Sequence, residues 1–216
     1  MFIIQKIKNA KVKIREKLNP IFAPRRRKKL HALDFTIISN NCWGGHVYRY
    51  FGLPYNSPTV GLFFYSEDFI KFCKKLKYYV ESSLTFIDIS QSKYKNDLEK
   101  HNINCPIGKI DDIEIIFLHY KTKEEAKEKW IRRCARINYD NLFFKMSYQN
   151  LCNEEFLKEF DNLDEKRKIV FVTKDYDLKS QIIWKGRKNT DGENILVDTI
   201  EFKKYINLYD LINGNL

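Results

Sequence analysis

Hydrophobic residues recur along the chain in two patterns that predict alternating strands and helices. Short apolar runs typical of buried strands cover residues 35–38, 59–63, 84–89, 113–118, 142–146 and 169–172. Between several of these runs, apolar residues recur at the spacing of a helix. Ser66 precedes one predicted helix, and Thr122 with Glu125 begins another that we extend to residue 138. Further helices are predicted from Val47, around residues 156–160 and at 202–211.

Alternation of nearly all-apolar strands with helices is typical of a parallel sheet covered on both faces. The sequence therefore predicts an α/β fold. We expect a single three-layer domain with a mostly parallel sheet over residues 34–216, preceded by an amino-terminal arm over residues 1–33. A chain of 216 residues with 44% hydrophobic content can bury one such core. Residues 91–109 show no clear period and are predicted to be irregular, as a lid or a partner loop.

Basic residues are concentrated in the arm. Residues 1–33 contain eleven Lys or Arg and one acidic residue, a net charge of +10, whereas the remainder of the chain carries +1. Apolar residues of the arm recur at three- and four-residue steps, which predicts a basic amphipathic helix that Pro20 and Pro24 then break. These apolar residues are Ile3, Ile7, Ala10, Ile14, Leu18 and Ile21.

An amphipathic basic helix followed by a basic cluster is typical of a segment that binds an anionic membrane surface. The residues expected to contact lipid are Lys6, Lys13, Arg25, Arg26 and Arg27. Two alternatives remain open, in which the apolar stripe packs on the domain or the arm binds nucleic acid. Nucleic acid is the least favoured partner, because dedicated binders carry positive charge and stacking aromatic residues on the fold itself.

Cysteine usage and hydropathy indicate a location. The five cysteines form no C-x-x-C pair and are expected to be reduced thiols. We see neither a signal-peptide pattern nor a run of eighteen apolar residues that would predict a membrane span. The expected location is the cytoplasm, peripheral to the inner face of the cell membrane.

The densest group of reactive side chains follows the first predicted strand, in the turn SNNCWGGH at residues 39–46. A helix opening at Val47 would place residues 41–45 at its positive amino end, which favours an anion or a thiolate. Gly44 and Gly45 would let the backbone approach a ligand closely. The alternative is that Cys42 is a small buried hydrophobic residue and the asparagines merely shape the turn.

Ligands of parallel α/β sheets bind outside the carboxyl ends of the strands. The residues delivered there by the strands at 35–38 and 113–118 are Asn40, Asn41, Cys42, Trp43, Gly44, Gly45, His46, His119 and Tyr120. Cys42 and His119 are thus expected on one rim, where a thiol and an imidazole can act as nucleophile and base. Alternatively, Cys42 forms a polar floor and His119 only ends its strand.

Two further candidates carry less weight. Arg133 or Arg136 could contact an anionic substrate if their helix borders the cleft, although a solvated basic face is the ordinary explanation for at least two of Arg132, Arg133 and Arg136. Asp175 and Asp177, after the sixth predicted strand, could hold a divalent cation against a sugar nucleotide. No tightly bound metal is expected otherwise.

Several motifs occur in a characteristic order: SNNCWGG at 39–45, NSPTVG at 56–61, PIG at 106–108, DDIEI at 111–115, FLHY at 117–120, and KW, RR and RIN between 129 and 138. Together they resemble a bacterial family associated with exopolysaccharide and capsule biosynthesis, over residues 34–185. The resemblance implies an α/β fold and a pathway, and it names no catalytic residue.

A fainter similarity, in the strand followed by Asn41 and Cys42, is to capsule acetyltransferase-like enzymes that bind coenzyme A. It implies coenzyme A or acetyl-coenzyme A as cofactor. Related hydrolases use a Gly-Asp-Ser nucleophile, and this chain departs from them because it has neither that motif nor a late Asp-x-x-His.

We therefore expect an acyl transferase, acting with acetyl on a hydroxyl of a saccharide or lipid-linked glycan. Asn40, Asn41 and the amides of Gly44 and Gly45 would stabilise the oxyanion, and His119 would be the base. The alternatives are a metal-dependent sugar or sugar-phosphate transferase and a non-catalytic scaffold for glycan assembly at the membrane.

Overall fold

A computed structural model describes residues 17–188, 194–195, 198–199 and 202–214, and it confirms the α/β class. These residues form seven strands and eight α-helices. In chain order they are α1 (residues 17–27), β1 (Thr36–Ser39), α2 (Trp43–Phe51), α3 (Ser66–Lys74), α4 (Leu76–Glu81), β2 (Thr85–Ile87), α5 (Lys95–Lys100), β3 (Ile107–Ile110), β4 (Ile113–Ile116), α6 (Lys123–Cys134), β5 (Leu142–Ser147), α7 (Glu154–Asp161), β6 (Lys168–Val172), β7 (Gln181–Ile183) and α8 (Leu208–Asn213).

The main sheet consists of four parallel strands in the order β1-β5-β6-β7. Every residue of β1 and β5 is buried, as expected for a sheet covered by helices on both sides. Ser39 lies opposite Lys145 in the register, and Ser147 lies opposite Phe171. The carboxyl ends of the strands therefore meet at one edge, as predicted.

A smaller antiparallel sheet, β2-β3-β4, lies beside the parallel one. Phe63 joins the two, because its backbone exchanges two hydrogen bonds with Ile116 while the next N–H, of Phe64, donates to the Asn40 carbonyl at 3.0 Å. The prediction of a strand at 59–63 was therefore wrong, since only a single bridge forms there.

The strand predicted at 113–118 exists as β4 but was assigned to the wrong sheet. A tight turn at Asp111, with φ at 53°, connects β3 to β4, and strands joined in this way pair with each other antiparallel. The residues predicted to be irregular, 91–109, contain α5 and most of β3. Because β3 was missed, its partner was placed in the parallel sheet.

Several helix boundaries differ from the pattern-based ones. Helix α2 begins at Trp43 rather than Val47, and α6 ends at Cys134 rather than residue 138, where the Asn138 side chain instead accepts from the N–H of Asp140 and starts a 3-10 turn. The predicted cap of α6 is confirmed, since Thr122 Oγ1 accepts from the N–H of Glu125 at 3.1 Å. Among the described helices, none is long and apolar enough to cross a membrane.

Helix α1 runs through Pro20 and Pro24, so the predicted break there was wrong. Each proline removes one backbone donor, a cost that tertiary contacts can offset. Ala23 is buried, and Arg26 and Arg27 donate to the carbonyls of Tyr50 and Phe51 at 2.8 and 2.7 Å. These contacts hold α1 against the carboxyl end of α2.

Candidate functional site

A cavity of about 660 Å³ lies beyond the carboxyl ends of β1 and β5. Its volume is in the range of small-molecule sites. Its polar and reactive lining comes from the loop after β1, helix α2, helix α5 and its carboxyl end, the segment after β4, the loop after β5 and residues 194, 198 and 199. These residues are Asn41, Cys42, His46, Asp97, His101, His119, Gln149, Asn150, Asn194, Asp198 and Thr199.

Cys42 and His119 line this cavity together, as predicted, but His119 reaches it by a different route. It follows β4 of the antiparallel sheet rather than a strand of the parallel one. Its backbone N–H donates to the Gly61 carbonyl at 3.0 Å, next to the Phe63 bridge that joins the two sheets. The joint between the sheets therefore brings the two loops together.

Cys42 precedes the first residue of α2, and its thiol donates to the Leu62 carbonyl at 3.8 Å. Burial raises the pKa of Cys42 to about 11 from an ordinary 9.0, and the nearby charge of Asp198 acts in the same direction. Cys42 is therefore a neutral thiol near neutral pH. The expected thiolate at the helix amino end is not favoured, and the polar-floor interpretation fits better.

The sequence predicted that the amino end of α2 is open to an anion, but two of its backbone N–H groups already bind side chains of the protein. Asn41 Oδ1 accepts from the N–H of Trp43 at 3.1 Å, and Ser39 Oγ accepts from the N–H of Gly44 at 3.4 Å. Side chains of the same turn thus satisfy two of the first amide donors of the helix. The indole of Trp43 is fully buried, and its ring lies against Phe143.

Gly44 and Gly45 face protein rather than a ligand. A Cβ on Gly44 would lie 3.2 Å from Ile37 Cγ2, and one on Gly45 would lie 2.9 Å from Val60 Cγ1. The close approach that requires glycine here is between α2 and its neighbours. The expectation that the two glycines let the backbone approach a ligand is thus replaced by a packing role.

Asn40 is fully buried and connects β1 to β5. Its Nδ2 donates to the Ser147 carbonyl at 3.0 Å, and its Oδ1 accepts from the Ser147 N–H at 3.1 Å. Both ends of the amide are therefore engaged. Its predicted role as an oxyanion donor is replaced by a structural one.

A buried polar network lies beneath the cavity. Lys145 Nζ donates to Asp198 Oδ2, to Ser147 Oγ at 2.6 Å and to Asn41 Oδ1 at 3.1 Å. Asn41 Nδ2 and Ser147 Oγ in turn donate to Asp198 Oδ2 at 2.9 and 2.6 Å. The Asn41 side chain is thus also committed to the protein, and the network holds Asp198 over the strand ends.

The charges of this network compensate each other. Burial alone would raise the pKa of Asp198, but the Lys145 charge and three hydrogen bonds outweigh it and lower the pKa below its ordinary value. Burial lowers the pKa of Lys145, against the opposing effect of Asp198. Asp198 is therefore an ionised carboxylate paired with Lys145, and it contributes little net charge to the cavity.

His101 is the cavity imidazole with a carboxylate beside it. Its Nδ1 lies 2.9 Å from the Asp97 carbonyl and 3.4 Å from Asp97 Oδ2. The Tyr65 hydroxyl donates to the same Oδ2 at 2.8 Å, and Tyr65 is itself buried. Tyr65 orients Asp97, and Asp97 orients His101, an arrangement that suits a general base.

His46 also lines the cavity, one turn along α2 from Cys42. An Arg49 guanidinium nitrogen lies 3.0 Å from its Nδ1. The pair places a positive charge at the edge of the cavity.

Tyr120 and Arg133 form a buried clamp instead of a substrate contact. The Tyr120 hydroxyl and Arg133 Nη1 both donate to the Val60 carbonyl at 2.6 Å, and Arg133 also donates to the Tyr120 hydroxyl. The predicted substrate-binding role of both residues is thus corrected to a structural one. The solvated basic face predicted for at least two of Arg132, Arg133 and Arg136 is confirmed for Arg132 and Arg136, which are exposed.

Asp175 and Asp177 lie in a turn after β6. Asp175 Oδ1 accepts from the N–H of Asp177 at 2.9 Å and from Gln181 Nε2 at 2.7 Å, and Asp177 has φ at 55°. The carboxylate thus shapes the turn. Across the residues that the structure describes, no three or more His, Cys, Asp or Glu are grouped to hold a metal ion.

Comparison with known proteins places the chain in a family. A family model described as a domain of unknown function, DUF1919, matches residues 13–214. The chain belongs to this family. A relative from Haemophilus influenzae, with the name "Uncharacterized protein", is 34% identical over 192 residues, which is 86% of each chain. The family-model match covers both sheets and the cavity, and neither description carries an activity.

The predicted lipid-binding residues have different surroundings. Arg26 and Arg27 are bound to the carboxyl end of α2, and Arg25 is exposed. Lys6 and Lys13 lie outside the described residues.

Sequence reasoning missed Lys145, Asp198, Asp97 and His101. Lys145 had a usable signal, since it is the one charged residue in the apolar strand 142–147. Asp97 and His101 are four residues apart and share a helix face, but no helix was predicted there. Asp198 carried no local signal, because its partner is 53 residues away.

Proposed function

We propose that the protein is an acyltransferase of surface-polysaccharide assembly that moves an acyl group, in the first instance acetyl, from coenzyme A to a sugar hydroxyl. One observation carries the proposal: an imidazole oriented by a carboxylate, His101 on Asp97, lines a ligand-sized cavity together with Cys42 and His119. Activating a hydroxyl for attack on a thioester requires a positioned base of this kind.

The reaction follows from the orientation of His101. With the Nδ1 proton directed at Asp97, Nε2 carries the lone pair and accepts the proton of the sugar hydroxyl. The sugar oxygen forms a bond to the thioester carbonyl carbon, and the carbon–sulfur bond then breaks. The departing thiolate takes the proton back from the imidazolium, so the products are an acyl ester and free coenzyme A.

Transfer in one step is favoured over an acyl-enzyme on Cys42. The raised pKa of about 11 leaves this thiol almost entirely protonated near neutral pH, and the thiolate is the nucleophilic form. Cys42 instead forms part of the cavity wall. His119 and the positive charge of Arg49 beside His46 contact the donor or the acceptor.

The acceptor class comes from the motifs and not from the cavity. The ordered motifs between residues 39 and 138 resemble a family associated with exopolysaccharide and capsule biosynthesis, which points to a saccharide or a lipid-linked glycan. We place the reaction in the cytoplasm, at the inner face of the cell membrane.

A ligand screen by melting temperature tests the proposal. Coenzyme A and acetyl-coenzyme A are expected to raise the Tm of the full chain, because a ligand that binds only the folded state stabilises it. Nucleotide sugars without added metal are expected to leave the Tm unchanged. His101→Ala, which removes the base, and Asp97→Asn, which removes the carboxylate that orients it, are each expected to lower the rate of acetyl transfer to a saccharide acceptor by roughly 10²- to 10⁴-fold.

The matched control is His31→Ala, which removes an exposed histidine outside the cavity. It should leave binding and transfer unchanged. Stabilisation by nucleotide sugars that needs a divalent cation and is lost in Asp175→Ala would replace this proposal with sugar transfer. Retained function in cells after combined loss of Cys42, His101 and His119 would indicate a non-catalytic scaffold.

A further inference from the structure

Helix α1 lies on the domain with Arg26 and Arg27 turned inward and its large apolar residues turned outward. On the inner side, Ala23 is 1% exposed, and Arg26 and Arg27 donate to backbone carbonyls at the end of α2. On the outer side, Leu18, Ile21 and Phe22 are 41%, 68% and 49% exposed. A surface helix ordinarily buries its apolar stripe, so this orientation is inverted.

The spacing of the outward residues makes them one continuous surface. Residues 18, 21, 22 and 25 are related by steps of three and four, which places them on one helix face. Arg25 therefore extends the stripe that Leu18, Ile21 and Phe22 begin, and it is exposed. We refer to Leu18, Ile21 and Phe22 as the outward stripe.

Positive charge surrounds the outward stripe. Residues 17–29 contain Lys17, Arg25, Arg26, Arg27, Lys28 and Lys29 and no acidic residue. Lys17, Arg25, Lys28 and Lys29 are exposed, whereas Arg26 and Arg27 are half-buried against α2. An apolar stripe bordered by bases and free of acids is complementary to an anionic lipid surface, which offers negative headgroups over an apolar interior.

We infer that the outward stripe of α1 docks the protein on an anionic membrane surface, with Arg25, Lys28 and Lys29 contacting the lipid headgroups. This assignment changes the residues expected from the sequence, because Arg26 and Arg27 hold the helix on the domain rather than contacting lipid. Nucleic acid would use the bases but leave the apolar stripe without a partner. A lipid interface uses both.

Docking through α1 leaves the cavity free. Helix α1 contacts the carboxyl end of α2, at Tyr50 and Phe51, whereas Cys42 stands at its amino end. The nine residues of α2 separate these points by about 13 Å. The membrane contact and the cavity thus lie at opposite ends of one helix, and the docked protein keeps its cavity open to a substrate.

Vesicle flotation with the full chain tests this inference. The protein is expected to float with vesicles of phosphatidylcholine and phosphatidylglycerol, less with phosphatidylcholine alone, and less as salt is added. Replacing the outward stripe, as Leu18→Ser, Ile21→Ser and Phe22→Ser together, should lower partitioning by more than about tenfold. Neutralising Arg25, Lys28 and Lys29 should lower it by roughly tenfold to a hundredfold.

The matched control is Ile131→Ser, which removes an apolar side chain that is 57% exposed on α6. It should leave flotation unchanged, and the Tm of each variant reports its folding. Wild-type protein that does not float with anionic vesicles would overturn the inference. A stripe variant that floats as well as the wild type would also overturn it. So would a wild-type protein that is a dimer in solution and that the stripe substitutions make monomeric, because the stripe would then be covered by a second copy of the chain. These outcomes are independent of the reaction, since no donor or acceptor is present.

Discussion

Lys145 and Asp198 form a fully buried ion pair although 53 residues separate them in the chain. Lys145 lies in β5, one of the two interior strands, and Asp198 forms part of one wall of the cavity. The pair is enclosed by hydrogen bonds from Asn41 and Ser147 and by the rings of Trp43 and Phe171 near the ammonium. It therefore fixes that wall to the sheet.

Asp198→Asn is expected to lower the free energy of unfolding by about 3 kcal/mol, because it leaves the Lys145 charge buried without a counter-charge. Denaturant titration measures the loss. Combining it with Lys145→Met, which removes the uncompensated charge, should recover part of the stability. Glu154→Gln, which breaks the exposed pair with Lys158, is the matched control and should leave the midpoint unchanged. Costs that simply add in the double variant would contradict this account.

The same pair predicts a pH dependence. The pKa of Asp198 is lowered on folding from an ordinary 3.8, so its contribution to stability is complete above that pH and is lost as the pH falls below it. Unfolding free energy measured between neutral pH and about pH 3 should therefore fall more steeply for the wild type than for Asp198→Asn. Parallel curves for the two proteins would argue against an ionised Asp198.

Gly45→Ala is expected to destabilise the protein by about 1 to 2 kcal/mol, although alanine favours a helix more than glycine does. The new Cβ would stand 2.9 Å from Val60 Cγ1, closer than packed side chains allow. Val60→Ala in the same chain should relieve the clash, so the Tm of the double variant should exceed the value expected from adding the two single effects. A stabilised Gly45→Ala protein would show that Val60 moves aside freely.

The thiol of Cys42 is expected to resist alkylation. Because the thiolate is the reactive form, a pKa of about 11 instead of 9.0 reduces the reactive fraction at about pH 8 by roughly a hundredfold. Iodoacetamide labelling followed peptide by peptide with mass spectrometry gives the rate for this residue alone. Fast labelling at neutral pH would reinstate Cys42 as a nucleophile and would contradict one-step transfer.

Arg133→Lys is expected to destabilise the protein by about 1 to 3 kcal/mol without a specific effect on ligand binding, because the guanidinium serves Val60 and Tyr120 inside the protein. Thermal unfolding and coenzyme A titration separate the two effects. Arg132→Lys, on the exposed side of the same helix, is the control. Weaker coenzyme A binding at unchanged stability would return Arg133 to the site.

Local patterns predicted those parts of the fold that local physics governs. The apolar runs that became β1, β5 and β6 were identified because a strand buried on both faces must be apolar along its length. Thr122 marked the start of α6 because its side chain accepts a hydrogen bond from the backbone N–H three residues later, at Glu125. β3 was not predicted, because its short segment, with Gly108 and Lys109, lacks a clear hydrophobic period.

The cavity lies at the strand ends where the rule predicted a ligand site, although the rule applied only in part. Cys42 follows a parallel strand as assumed, whereas His119 reaches the cavity from the antiparallel sheet through the Phe63 joint. We expected three polar residues to contact a ligand because polar side chains are common in binding sites. Each of them instead donates to a buried backbone carbonyl: Asn40, Tyr120 and Arg133. Residue type alone does not distinguish the two uses.

The sequence by itself determined the class of fold, the main strands, the basic arm and the turn that reaches the cavity, because hydrophobic period, capping and charge act between residues close in the chain. Only the tertiary structure decided which strands pair, that Asp198 neutralises Lys145, that Asp97 orients His101, and which face of α1 turns outward. Those choices depend on contacts between distant residues, and the free energy of burying a charge or an apolar face is defined only once its neighbours are in place.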